Sequence, residues 1–289
     1  MNFGIVTIIG AGLIGGSIGL GLKEKKLAKS VIGVGHRNAS IKKALKIGAI
    51  DEGTVNIKKA VKQADIVILA ASVGLIPILA RMAIPSMKKS AILTDVGSTK
   101  KYIVSQINKE INDGYSENSI NFVGAHPLAG SEQRGIESAR TDLFEDSVCV
   151  LTPADAMSSK RSIAKITKMW KALGAKTSIL TPSEHDEIMA FVSHLPHLVA
   201  SGLTSVIKEK LWKYAASGLR DTTRIASSDP ELWLNICKQN RAKIVKALRC
   251  FSEEIKSTLK DMEEENDNEI LKRLKKAKRI RDKKRWKEE

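Results

Sequence analysis

The side chains best suited to moving protons near neutral pH are five histidines, at positions 36, 126, 185, 194 and 197; imidazole titrates closest to that range. His126 directly follows the apolar run Phe122 to Ala125. It therefore stands at the carboxyl end of an expected strand, the edge where open α/β sheets place their ligands. His194 and His197 lie one helical turn apart in SHLPH, where Pro196 is expected to disturb the helix. A second pattern concerns phosphate. In VTIIGAGLIGGS, Gly10-x-Gly12-x-x-Gly15 closes an apolar run and opens a helical one, the context a dinucleotide turn requires. Gly10 permits the tight turn, Gly12 lets a pyrophosphate approach the backbone, and Gly15 lets helix and strand pack closely. Leu13 and Ile14 complete the turn at a helix N-terminus, which attracts phosphate. About twenty residues on, where a carboxylate normally holds the adenosine ribose of NAD, the chain has Val34-Gly35-His36-Arg37. Arg37, with His36, is a candidate for stacking on adenine or meeting a ribose 2′-phosphate, or else is a solvated loop charge, so NAD and NADP both stay open.

Apolar, β-branched runs at Ile5 to Ile9, Val31 to Val34, Ile66 to Ala70, Ile92 to Thr94, Phe122 to Ala125, Val148 to Leu151 and Ser178 to Leu180 read as buried strands. Helical spacing fills the intervals at Leu13 to Leu27, Leu75 to Met87, Tyr102 to Ile111 and Ile163 to Leu173. This alternation implies an α/β fold, a Rossmann-type doubly wound and mostly parallel sheet. After Thr181-Pro182-Ser183 the strand signals stop. The boundary is expected there, with a dinucleotide-binding domain over 1–181 and an all-helical second domain over 182–289, its first helix N-capped by Ser183.

The formal charge is +16, but its distribution matters more: residues 270–289 hold 11 Lys or Arg against 3 Asp or Glu. A nucleic-acid-binding module is the reading this tail invites. Only Trp286 interrupts the tail, so no aromatic stacking platform accompanies the charge, and no nucleic-acid partner is expected. From Glu253 onward, an extended or frayed helix is expected. Cys149, Cys237 and Cys250 are odd in number and far apart, which suits a reducing cytoplasm and neither a disulfide framework nor a thiolate metal site. No stretch is apolar for long enough to span a membrane. A metal-dependent hydrolase built on His185, Asp186, His194 and His197 is a rival reading. It ignores the glycine turn, and no metal is expected.

Three ordered motifs carry a family resemblance: GAHPLAGSE (124–132), SHLPH (193–197) and GLRDTTRIASSDPELW (218–233), joined by TDVGSTK (94–100). With the glycine turn, they resemble the prephenate and arogenate (cyclohexadienyl) dehydrogenases through most of the chain, fading after about Lys256. The resemblance implies oxidative decarboxylation in tyrosine synthesis: prephenate to 4-hydroxyphenylpyruvate, or arogenate to tyrosine. Hydride leaves the carbon bearing the ring hydroxyl for the nicotinamide, and a base takes the hydroxyl proton. His126 is the base this implies, with Ser98 hydrogen-bonding the hydroxyl or His126, unless Ser98 is a plain helix N-cap. Arg224 is the implied anchor for a substrate carboxylate, with Arg220 for the second or for the surface. His197 would lie over the site, His194 and Asp186 would orient or close it, and Glu132 and Trp233 would also touch the substrate. Ser72 in AASVG stands where the family commonly has proline, and His36 where it has the ribose-binding acid. The resemblance also implies a homodimer built through the helical domain.

Overall fold

The computed structural model describes residues 2–114, 120–129, 135–154 and 158–283. Within them an eight-stranded sheet runs in the order β3-β2-β1-β4-β5-β6-β7-β8. Its strands are β1 (Ile5–Ile9), β2 (Ser30–Val34), β3 (Glu52–Thr54), β4 (Ile66–Leu69), β5 (Ile92–Asp95), β6 (Asn121–Pro127), β7 (Val148–Pro153) and β8 (Lys176–Ile179). All pairs are parallel except β6 with β7, where His126 faces Val150. The sequence omits β3 from its expected strands because Glu-Gly-Thr at the sheet edge is polar and mostly exposed.

Helices cover both faces: α1 (Leu13–Glu24), α2 (Asn38–Lys46), α3 (Ile57–Val61), α4 (Ile76–Ala83), α5 (Lys101–Gly114) and α6 (Lys160–Ala172). One buried cluster joins Ile18 and Leu22 of α1 to Met169 and Trp170 of α6. The other joins Ile76 of α4 to Ile103 and Ile107 of α5. Burial on both faces explains why β4, Ile-Val-Ile-Leu, is apolar at every position.

Then follow α7 (Pro182–Met189), a π turn (Ala190–His194), α8 (Leu195–Val206), α9 (Ser217–Thr223), α10 (Pro230–Gln239), α11 (Arg241–Glu263) and α12 (Asp267–Asp282). The N-cap of α7 is Thr181 and not Ser183. Pro182 has no N–H to lose and takes the first helical position, while the Thr181 hydroxyl accepts from Glu184 N at 3.2 Å. The Glu184 carboxylate accepts from Thr181 N at 2.8 Å, closing a capping box.

Two compact units emerge, 1–241 and 242–289. The expected boundary at 181 thus falls inside the first, where Asn240 and Gln239 tie the end of α10 to α7 and to the loop after β4: Asn240 Nδ2 donates to Asp186 O at 2.7 Å, and Gln239 Nε2 to Val73 O at 2.9 Å. In the second unit α12 does not continue α11 as one extended helix, and the end of the expected tail, 284–289, lies outside the described residues. Helix α12 folds back, with Arg273 donating to Asp261 at 2.7 Å, to Glu254 at 2.8 Å and to Ser257.

Candidate active site

The glycine turn lies where the chain order reverses, between β1 and β4, the crevice in which doubly wound sheets hold their ligands. Gly10 has φ +103, and a Cβ there would sit 2.3 Å from Ala70 O. A Cβ on Gly15 would lie 2.1 Å from Gly10 O, so helix and strand approach as closely as only glycine allows. Gly12 differs: nothing lies within 4 Å of its missing Cβ. It is also the N-cap of α1, with no side-chain cap and no acid in the first turn, so the amides around Leu13 and Ile14 stay open to an anion. Ser72, past the end of β4, accepts from Leu75 N and Ile76 N at 2.8 and 3.2 Å and starts the next helix. His36 and Arg37 are exposed beyond β2. The Arg37 carbonyl accepts from Ser40 N at 3.2 Å, and its guanidinium has no partner among the described residues. These residues fit a dinucleotide.

His126, half-buried near the end of β6, is the first of a linked series. Its Nδ1 is 2.8 Å from His185 Nε2, and His185 Nδ1 is 2.8 Å from Asp186 Oδ1. Asp186, 1% exposed, also accepts from Lys100 N at 2.7 Å and from Lys101 N at 3.0 Å. The start of α5 is therefore capped from α7. That relieves Ser98 of the N-cap role, and its half-buried side chain stands in the loop after β5.

Lys100 is wholly buried; its Nζ pairs with Asp95 and donates to Ala125 O at 2.8 Å. Asp95 in turn accepts from Ala125 N at 3.2 Å and Gly97 N at 2.8 Å, clamping β5 to β6 one residue before His126. Burial, then the neighbouring His185, Lys100 and His194, hold His126 well below the usual imidazole range. Burial also lowers His185, against the pull of Asp186, and pushes the buried Cys149 thiol upward. A neutral His126 can accept a proton at pH 7.

The π turn and α8 supply the other histidines. Pro196 cannot donate to the preceding turn, and the π register next to it accommodates that loss without breaking the helix. The His197 ring stacks on Trp233 at 3.5 Å and 5°, and the His194 ring meets the same indole edge-on at 5.9 Å and 85°. His194 Nδ1 accepts from Asn240 at 3.2 Å, and burial lowers its pKa to about 4. His197 Nδ1 is buried without a partner among the described residues, the kind of atom that a ligand's polar group can satisfy.

The structure thus gathers His126, His185, Asp186, His194, His197 and Trp233 around Asn240 and the starts of α5 and α8. Arg224 is exposed and opens a 3-10 turn (Arg224–Ser227) that packs against α8. Arg220 does not join the cluster: its side chain is 78% exposed and, among the described residues, reaches only its neighbour Asp221, at 3.5 Å. Glu132 lies outside the described residues. Sequence reasoning missed the parts played by His185, Asn240 and the Asp95–Lys100 pair. Asp95 and Lys100 were visible within TDVGSTK, and His185 adjoined Asp186, but only the fold shows what each one meets.

Two family models match the chain: prephenate dehydrogenase, nucleotide-binding domain, over residues 18–180, and prephenate dehydrogenase, dimerization domain, over residues 181–276. The prephenate dehydrogenase of Bacillus subtilis is 34% identical over 284 residues, 96% of this chain and 75% of that protein. The cyclohexadienyl dehydrogenase of Zymomonas mobilis is 31% identical over 285 residues, 96% of this chain and 94% of that one. The crystal structure of prephenate dehydrogenase from A. aeolicus in complex with hydroxyphenyl propionate and NAD+ superimposes with a TM-score of 0.89 at 30% identity, covering 96% of this chain and 97% of that one.

Proposed function

The chain belongs to the prephenate dehydrogenase family of NAD-dependent oxidoreductases, and on that premise we propose that it converts prephenate to 4-hydroxyphenylpyruvate and carbon dioxide. The observation that carries this reading is His126 at the carboxyl end of β6, joined to His185 and through it to Asp186. A bound nicotinamide dinucleotide supplies the hydride acceptor, and Gly10, Gly12, Leu13, Ile14, Gly15 and Ser72 would hold it.

His126 accepts the ring hydroxyl's proton while the carbonyl forms, with Ser98 fixing the oxygen's position. The bond to the ring carboxylate then breaks, its electrons enter the ring, and the aromatic oxygen takes the proton back. Arg224 engages a substrate carboxylate, His197 and Trp233 wall the site, and Asp186 and His194 orient or close it. Glu132 stays a proposed contact, and Arg220 serves the second carboxylate or the helix surface.

Two finer points have particular support. No carboxylate stands at the end of β2 and the Arg37 guanidinium has no partner among the described residues, which favours testing NADP beside NAD. The Z. mobilis relative's name covers cyclohexadienyl substrates generally, which favours testing arogenate. The functional division falls at 181, with residues 182–289 serving substrate and a homodimer, as the description of the second family model supports. No helix among the described residues is long and apolar enough to cross a membrane, and the cytoplasm is the proposed place of work. Prephenate and arogenate, each mixed with NAD or NADP and followed by absorbance of the reduced nicotinamide, test substrate and cofactor together. Prephenate with NAD is expected to turn over; silence in all four mixtures sinks the assignment.

A further inference from the structure

Two histidine rings joined nitrogen to nitrogen must agree on which one donates. When both are neutral, one hydrogen lies between His126 Nδ1 and His185 Nε2, 2.8 Å apart. The direction is decided at the far end of the series. A carboxylate offers only acceptors, and Asp186 already receives two backbone N–H groups from Lys100 and Lys101. His185 Nδ1 must therefore donate to it across their 2.8 Å contact. A neutral His185 then has a bare Nε2, which can only accept, so the shared hydrogen belongs to His126 Nδ1. The second nitrogen of His126, Nε2, is left with its lone pair.

We propose that His185, held by Asp186, is a positioning residue that locks His126 in the Nδ1–H tautomer, keeping Nε2 bare for the substrate hydroxyl. The proposal rests on the functional reading above for the identity of the proton donor, and on geometry alone for the tautomer. Burial supports it by keeping His185 neutral; as a cation, His185 would donate from Nε2 and turn the base into a donor. When His126 takes the substrate proton at Nε2 it becomes an imidazolium whose Nδ1–H still donates to His185. The buried Asp186 carboxylate, one ring further on, offsets the charge.

The test has a spectroscopic arm and a kinetic arm. Full-length protein carrying 15N-labelled histidine, at pH 7.5, is examined by two-bond proton–nitrogen correlation, with His126→Asn identifying the His126 signals. A His126 proton on Nδ1 and an unprotonated Nε2 are expected; a proton on Nε2 overturns the proposal. In His185→Phe, which keeps the ring's bulk and leaves the Asp186 cap intact, His126 is expected to sample both tautomers. Its kcat on prephenate should fall about 10- to 100-fold, a part of the roughly 10²–10⁴-fold that acid–base catalysis supplies, with KM little changed. A variant that folds and keeps wild-type kcat overturns the lock. If His185→Phe does not fold, the wild-type spectrum alone decides. That spectrum needs no substrate, so an enzyme inactive on prephenate counts against the functional reading and leaves the tautomer to be judged separately.

Discussion

His126 is poised by what surrounds it more than by its own chemistry. Burial is the largest cause of its lowered pKa, with His185, Lys100 and His194 adding to it, so the acid limb of kcat/KM is expected below pH 6.5. Replacing it with Asn should lower kcat by about 10²-fold or more while the fold persists; a variant with full turnover would remove it as the base. Arg224→Ala should instead raise KM for the dicarboxylate, because a guanidinium holds a carboxylate in both ground and transition states, and steady-state kinetics will separate the two patterns. At this scale the sequence was partly legible. His126 was visible because an apolar strand runs straight into it, and SHLPH because its histidines share a helix face. His185 was not, because its partner comes from β6, 59 residues away, and no local periodicity records such a pairing.

Among the elements, the first strand and helix show how one turn separates two needs. Ala at Gly15 would drive a Cβ into the Gly10 carbonyl, an overpacking expected to cost about 1–3 kcal/mol and readable as a fall in thermal midpoint. Ala at Gly12 meets nothing within 4 Å, so the midpoint should hold while NAD affinity, measured by titration, drops. Equal effects of the two changes would contradict the division of labour among these glycines. The buried strands were legible because both faces of the sheet are covered, leaving unbroken apolar runs. The polar edge strand Glu52–Thr54, the shift of the α7 cap to Thr181 and the π turn were not. Each depends on a neighbour: an open sheet edge, a proline's missing N–H, or a helix register adjusting beside Pro196.

For the whole molecule, the site histidines set a pH dependence of stability. His126, His185, His194 and His197 all have lowered values, burial being the largest cause each time. The unfolded chain therefore binds more protons below pH 6.5, and stability falls as pH drops from there toward about 4, the value for His194. The thermal midpoint should be lower at pH 5 than at pH 7.5; an equal or higher one would contradict the burial of these rings. The α/β class was plain from the alternation of runs, but composition gave no sign that α12 folds back on α11, because Arg273 reaches acids 12 and 19 residues away. A last consequence concerns descent. The Asp186 carboxylate fastens a helix with two bonds and an imidazole with a third, so a mutation there is screened twice, for folding and for turnover. Lineages of this enzyme should drift readily at exposed positions such as Lys58 and Lys62 while position 186 stays still.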